Sequence, residues 1–190
     1  MAILVWLSSS LGESHPPVAR ASTASGTYSV FLPIAIRSDA ASAVPFTPNA
    51  QEIAIANYMR QDPNQQRPSL NWNSTLAQVA RARALDMATR GYFGHVNPDG
   101  YGPNYLVQQA GYQLPSWYDQ SPTANNIESI AGGAATPTDV WNLWMSSSSH
   151  RTHLLGLDPF YAAQIDYGIG YVYVPGSPFG YYWVVITARH

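Results

Sequence analysis

The sequence predicts an α+β sandwich, and two observations lead to this class. Helical patterns with capping residues fill the first part of the folded region, and two strand patterns joined by a turn close the chain. One further helical pattern lies between these two parts. Helices that precede strands in this way pack as layers over one sheet rather than alternate with parallel strands.

The first helix is predicted to begin at Thr47, which can cap it, with Pro48 in the first helical position. Ile53 and Ala56 follow at helical spacing, and Asp62–Pro63 stops the pattern. These residues place the start of the folded domain near residue 48.

The second helix is predicted to run from a cap at Ser74 to a stop at Gly91. Ala80, Ala84 and Ala88 repeat every fourth position within it. This spacing puts three small side chains on one helix face, so we expect that face to pack closely against its neighbour.

The remaining elements follow from turn chemistry and composition. A short helix is predicted over 104–110 and a strand over 127–131. Thr136 as cap, Pro137 in the first position and Asp139 in the first turn predict the third main helix. A Pro- and Gly-rich turn over 175–180 predicts a hairpin of strands 167–174 and 181–187.

Residues 1–48 are expected to lie outside the folded domain, which is predicted to span 49–190. Met1–Leu7 is apolar and is followed by small residues, which is typical of the tail of a secretory signal, although a basic segment is lacking. The following stretch is rich in Ser, Ala and Pro, like an exported extension. We therefore expect a secreted, extracellular protein.

Composition excludes several classes of function. The formal charge is −2, Lys is absent and no basic cluster occurs, so nucleic acid is not expected as a partner. The chain has no Cys, which removes disulfides, thiolate metal sites and cysteine nucleophiles. No apolar run approaches the roughly 20 residues of a transmembrane helix. Nucleophile elbows, phosphate loops and dinucleotide fingerprints are also absent from the sequence.

Three polar residues at element ends suggest one convergent site. His95 follows the second helix, His150 follows a serine turn after the third, and Glu128 is the lone acid of an uncharged strand. Two imidazoles and an acid could hold a zinc-like ion with water in an open position, or could form a proton-transfer set. Each histidine could also be a structural, hydrogen-bonded residue, and Glu128 could pair with an arginine. His153 could join the site or pack beneath it.

An ordered set of motifs over residues 49–187 resembles the CAP superfamily, also called the SCP-like extracellular domain. The set comprises Asn57–Arg60, Leu70–Trp72 with the alanine-rich helix, Phe93–His95, Ala110–Tyr112, Ile127–Gly133, Trp144–Leu155, Tyr167–Tyr171 and Tyr182–Val185. The resemblance implies a three-layer α-β-α sandwich with a central antiparallel sheet. It is typical of exported bacterial members that lack the cysteines of the eukaryotic ones.

The resemblance also implies a cleft with two histidines and acids. The histidines correspond to His95 and His150, the first acid to Glu128, and the second acid's position holds Ser147. The expected cleft is therefore His95, Glu128, Ser147 and His150, with zinc or another divalent metal on His95 and His150.

Three functions remain open from the sequence. The leading expectation is a secreted, non-enzymatic module that binds a lipid, glycan or peptide beside the metal. The alternative is a metal-assisted hydrolase of peptidase or esterase type, with Glu128 as its catalytic base. The third is a structural envelope or adhesion domain in which the site is vestigial.

Overall fold

The computed structural model describes residues 5–6 and 46–190. Most of the predicted signal-like segment and extension therefore lies outside the described residues. The helices are α1 Ala50–Gln61, α2 Ser74–Arg90, α3 Pro103–Gln109, α4 Pro137–Ser146, α5 Ser148–Leu155 and α6 Pro159–Ala162. The strands are β1 Val5–Trp6, β2 Asn71–Trp72, β3 Glu128–Gly132, β4 Asp166–Tyr173 and β5 Tyr181–Ala188.

The strands form one sheet in the order β1-β3-β5-β4-β2. β3, β5 and β4 pair antiparallel, and β4 and β5 form the predicted hairpin. The two-residue strand β2 pairs parallel to β4 at the edge, so the sheet is mixed where only antiparallel pairing was expected. The predicted α+β class is confirmed.

Two apolar cores lie on opposite faces of the sheet, because successive side chains of a strand point to opposite sides. On β5, Tyr182, Val184 and Ile186 belong to the core that contains α2. Trp183 and Val185 belong to the core that contains α1, α4 and α5. These two cores give the expected three-layer α-β-α arrangement.

Helix α2 packs closely on β4, as its alanine face predicts. Ala80 and Ala84 are fully buried. A Cβ atom added to Gly168 would lie 2.1 Å from the backbone nitrogen of Ala77. One added to Gly170 would lie 2.3 Å from the carbonyl carbon of Ala80. Both glycines are therefore required by the short distance between the α2 backbone and β4.

The predicted start of α1 was wrong by two residues. Asn49, not Thr47, is the N-cap. Its side chain accepts hydrogen bonds from the backbone N–H groups of Gln51 and Glu52, and the Glu52 side chain accepts one from the Asn49 backbone N–H. This capping box satisfies more of the free N–H groups than Thr47 and Pro48 would. The buried face also differs, because Ile53 is 46% exposed.

The N-caps of α2 and α4 were also predicted from capping chemistry. Asn73 caps α2 one residue before the expected Ser74, and its side chain accepts from Thr75 and Leu76 N–H groups. Thr136 caps α4, with Pro137 in the first turn, as predicted. Among the described residues, no helix is long and apolar enough to cross a membrane.

Candidate functional site

Glu128, the first residue of β3, is held by a buried arginine from α2. Arg83 Nε lies 3.0 Å from Glu128 Oε2, and Arg83 Nη2 lies 3.2 Å from Oε1. The Glu128 and Arg83 side chains are almost wholly removed from solvent. Such a two-point contact between a guanidinium and a carboxylate fixes both position and orientation.

The same carboxylate contacts His95. Glu128 Oε1 lies 2.9 Å from His95 Nδ1, and His95 is 5% exposed. An ionised carboxylate only accepts hydrogen bonds, so His95 Nδ1 carries the proton. Asn125 completes the support, because its Oδ1 accepts from the Glu128 backbone N–H at 2.9 Å. A carboxylate that orients a histidine through Nδ1 is the arrangement found behind metal-binding imidazoles.

The environment keeps Glu128 ionised. Burial would raise the pKa of its carboxyl, but the charge of Arg83 and the hydrogen bond from His95 hold that pKa below its ordinary value. Burial likewise would lower the pKa of Arg83, and Glu128 raises it above its ordinary value. The two residues therefore form a charged pair in the interior.

Arg83 also ties down the loop that carries His95. Its Nη2 donates to the carbonyl oxygens of Gly94 at 2.7 Å and of His95 at 2.8 Å. Its Nη1 donates to the Tyr92 hydroxyl at 2.6 Å. One side chain thus positions both Glu128 and the backbone of His95.

His150 lies in the first turn of α5, just after the serine turn that the sequence predicted. α4 ends at Ser146, and Ser147 is extended, with φ −95° and ψ 121°. The Ser147 Oγ lies 2.8 Å from His150 Nδ1. The hydroxyl at the position of the second acid therefore orients the second histidine. His150 is fully buried.

His153 packs beneath the site in a polar network. Ser129 Oγ lies 2.6 Å from its Nδ1, and Thr187 Oγ1 lies 2.7 Å from its Nε2. Thr187 donates its own proton to Gln164, so it accepts from His153 Nε2–H, and Ser129 donates to Nδ1. Burial, and next the charge of Arg67, lowers the pKa of His153 well below its ordinary value. His153 is therefore a neutral structural residue.

The predicted site residues form two contacting pairs, His95 with Glu128 and Ser147 with His150, at the start of β3 and of α5. Glu128 contacts His95, its neighbour Ser129 contacts His153, and His150 lies three residues before His153 on α5. Glu128 is an arginine partner, one of the two roles that the sequence left open, and it also contacts His95.

The donor set fits a divalent metal in part. Imidazole nitrogens suit zinc and similar ions, and each Nδ1 here is engaged by an oriented side chain, so an ion would be held through Nε2. Within the described residues, no group of three or more His, Cys, Asp or Glu is placed to hold an ion. Two imidazoles would therefore be its protein ligands, and water or a bound molecule would complete its coordination.

Arg83 is the site residue that sequence reasoning missed. A signal was present, because Arg83 lies between Ala80 and Ala84 on the small-residue face of α2. A charged residue on a buried helix face requires a partner, and Glu128 was the isolated acid.

The aromatic residues of β4 and β5 point to opposite faces of the sheet by strand alternation. Tyr182 and Trp183 are fully buried, one in each core. Tyr173 is 53% exposed and stacks on Tyr181, with ring centres 4.6 Å apart.

Several known proteins are similar to this chain. The uncharacterised protein YkwD of Bacillus subtilis (strain 168) is 30% identical over 139 residues, which cover 72% of this chain and 48% of YkwD. The chain thus spans about half the length of the curated relative it matches.

Two solved structures share the fold. An outer surface protein from Borrelia burgdorferi matches with a TM-score of 0.53 and 21% identity, over 73% of this chain and 91% of that one. An extracellular protein containing an SCP domain from Bacillus anthracis str. Ames matches with a TM-score of 0.51 and 22% identity, over 73% and 38%. The model of the CAP family, described as the cysteine-rich secretory protein family, matches residues 53–186. With well over half of its length matched, this chain belongs to the CAP family.

Proposed function

We propose that this CAP domain is an extracellular binding module in which His95 and His150 hold a divalent metal ion. The observation that carries the proposal is the placement of Glu128 between Arg83 and His95, at 3.0 Å and 2.9 Å. A carboxylate held in this way orients an imidazole and sets its tautomer, which is what a metal-binding histidine requires.

The two histidines share the features of prepared ligands. Each is buried, and each has its Nδ1 contacted by an oriented side chain from another position, Glu128 or Ser147. Orientation before binding reduces the conformational entropy lost when a ligand is captured. A bound ion would act as a Lewis acid that an oxygen or nitrogen atom of the module's ligand could coordinate.

The same geometry disfavours the hydrolase alternative. A general base must accept a proton near the working pH, and its pKa should lie near that pH. The pKa of Glu128 is held below its ordinary value by Arg83 and His95, and its oxygens already accept three hydrogen bonds. Glu128 is therefore an orienting residue in this proposal.

The extracellular location is supported by the proteins that share the fold. One is named an outer surface protein and the other an extracellular protein. The apolar start of the sequence is consistent with export.

Calorimetric titration of zinc into the metal-stripped full chain tests the proposal. The His95→Ala/His150→Ala double variant is the test, and His190→Ala is the control because the His190 side chain is 70% exposed. We expect binding of one ion per chain by the natural protein and by H190A, and its loss in the double variant. Binding that persists in the double variant, or no binding by the natural chain, would overturn the metal proposal.

A second measurement distinguishes a binding module from an enzyme. A panel of peptides and esters at saturating zinc should show no turnover above that of the double variant. Turnover that disappears in Glu128→Gln while zinc still binds would establish the hydrolase instead. If the double variant changes only local stability and zinc never binds, the site is vestigial.

A further inference from the structure

An open cavity lies between α4 and residues 133–135, which follow β3. Its volume is about 490 Å³, within the range of small-molecule sites. The backbone of residues 133–135 lines one side, and Asp139, Asn142, Leu143 and Ser146 line the other. These four positions follow the i, i+3, i+4, i+7 spacing of one helix face, so three polar side chains and one apolar side chain face the same space.

The segment 133–135 is fixed in place. The Gly133 N–H donates to the Tyr181 carbonyl at 2.9 Å, and Trp183 Nε1 donates to the Ala134 carbonyl at 2.8 Å. A Cβ atom added to Gly133 would meet nothing within 4 Å. The open space beside Gly133 is therefore bounded by ordered backbone, as expected of a preformed site.

A stacked pair of tyrosines, Tyr173 exposed and Tyr181 half-buried, lies on the same side of the sheet as α4. Trp183 and Val185 face the core of α4, so Tyr181, two residues earlier on β5, points to that side as well. Tyr173 pairs with Tyr181 across the hairpin, and their rings stack with an interplanar angle of 21°. The Tyr181 carbonyl is also the partner of Gly133. The backbone of Tyr181 is therefore hydrogen-bonded to Gly133, which lines the cavity.

The charge of the cavity limits what can bind. Among the described residues, those that line it include no arginine or histidine, and Asp139 is their single charged member. Asp139 uses Oδ2 to accept from Thr136, at 2.6 Å. Phosphate, carboxylate and nucleic-acid ligands would meet the negative charge of Asp139 and no positive side chain among the lining residues.

We propose that the α4 cavity and the Tyr173–Tyr181 pair together bind an uncharged glycan. Sugar rings carry hydroxyl groups around their edge and C–H groups on their faces. The acceptors of Asp139 and Asn142 match the hydroxyls, and the stacked tyrosines offer an apolar, rigid platform with hydroxyl tips for a ring face. Leu143 adds apolar contact between them.

This inference goes beyond the histidine site, because it uses none of its residues. Glycan binding should remain when His95 and His150 are both replaced by Ala. Zinc binding should remain when the glycan site is altered, so each proposal can fail without the other.

The test is titration calorimetry of the full chain with hexasaccharides matched in length. The uncharged probes are N-acetylglucosamine, β-1,4-glucose and α-1,4-glucose hexamers. The charged comparisons are the glucosamine and galacturonate hexamers. The variants are Tyr173→Ala and Asn142→Ala, and Trp117→Ala is the matched aromatic control because Trp117 is 56% exposed and packs on Phe160 instead.

We expect saturable binding of at least one uncharged hexamer and none of the galacturonate hexamer. Y173A and N142A should each weaken it about tenfold, and W117A should leave it unchanged. Circular dichroism verifies that each variant is folded. The proposal is overturned if no uncharged hexamer binds, if the glucosamine hexamer alone binds, or if folded Y173A and N142A bind as well as the natural chain.

Discussion

Arg83 Nε on α2 lies 3.0 Å from Glu128 Oε2 on β3, and these side chains are 2% and 0% exposed. The pair joins α2 to β3 next to His95, which contacts the same carboxylate. Removing one partner of such a pair leaves the other as a buried, unmatched charge.

Replacing Arg83 by Met should therefore destabilise the domain by about 3–5 kcal/mol. The loss combines the uncompensated charge of Glu128 with the hydrogen bonds to Gly94 and His95. Urea unfolding followed by tryptophan fluorescence measures it. Arg151→Met is the control, since Arg151 is an exposed arginine of α5, and its variant should unfold near the natural midpoint. Equal midpoints for the two variants would contradict the role given to Arg83.

Glu128→Gln should lower zinc affinity about 10- to 100-fold, the range observed when a partner that orients a metal-binding histidine is lost. The amide retains the shape of the side chain but no longer provides a full negative charge to Arg83 and His95. Calorimetry measures the affinity. Asp99→Asn is a carboxylate control from the exposed end of the His95 loop, and it should bind zinc as the natural chain does.

Stability should fall as the pH is lowered through the ordinary pKa of histidine, and His153 is the cause. Its pKa in the folded state is well below 6.5, so the unfolded state binds the proton more readily. The contribution of His153 is complete above about pH 6.5 and declines below it, by at most about 1.4 kcal/mol per pH unit for one proton.

Unfolding free energies between about pH 7.5 and pH 5 measure this slope. His153→Gln should be less stable at neutral pH but should show a flatter dependence, since the titrating group is gone. An unchanged slope in H153Q would assign the acid sensitivity to other groups.

Gly170→Ala should be strongly destabilising, by about 3 kcal/mol or more, because its Cβ would lie 2.3 Å from the Ala80 carbonyl carbon. Backbone atoms of α2 cannot rotate away as a flexible side chain can. Gly94→Ala is the control, since the nearest atom to its Cβ would be 4.0 Å away. Thermal unfolding should separate the two variants clearly, and similar melting temperatures would show that α2 can shift away from β4.

Much of the fold could be predicted from the sequence, because the residues that cap helices and form turns agree with the tertiary structure. The Thr136–Pro137 start of α4 and the turn between β4 and β5 were predicted from residue chemistry and are confirmed. The start of α1 was misplaced because Thr47–Pro48 and Asn49 offer competing caps, and only the reciprocal contact with Glu52 decides between them.

The site was predicted less completely. His95, Glu128 and His150 were predicted from their types and positions; the structure shows His95 in contact with Glu128, and the shared site stays a prediction. Arg83 and the Ser129–His153–Thr187 network were not identified, because they depend on which side chains meet across layers. Contacts between residues far apart in the chain produce no periodic pattern in the sequence.

The contact of Gly168 and Gly170 with α2 also bears on how the chain folds. Residues 77–80 of α2 and 168–170 of β4 are far apart in the chain, and their backbones must come close together. Their contact contributes little free energy until it is fully formed, because glycine has no side chain that could make looser contacts earlier. Closing the long loop between them costs entropy before any packing is gained. Docking of α2 on β4 is therefore expected to belong to the rate-limiting barrier, and the domain to fold slowly for its size.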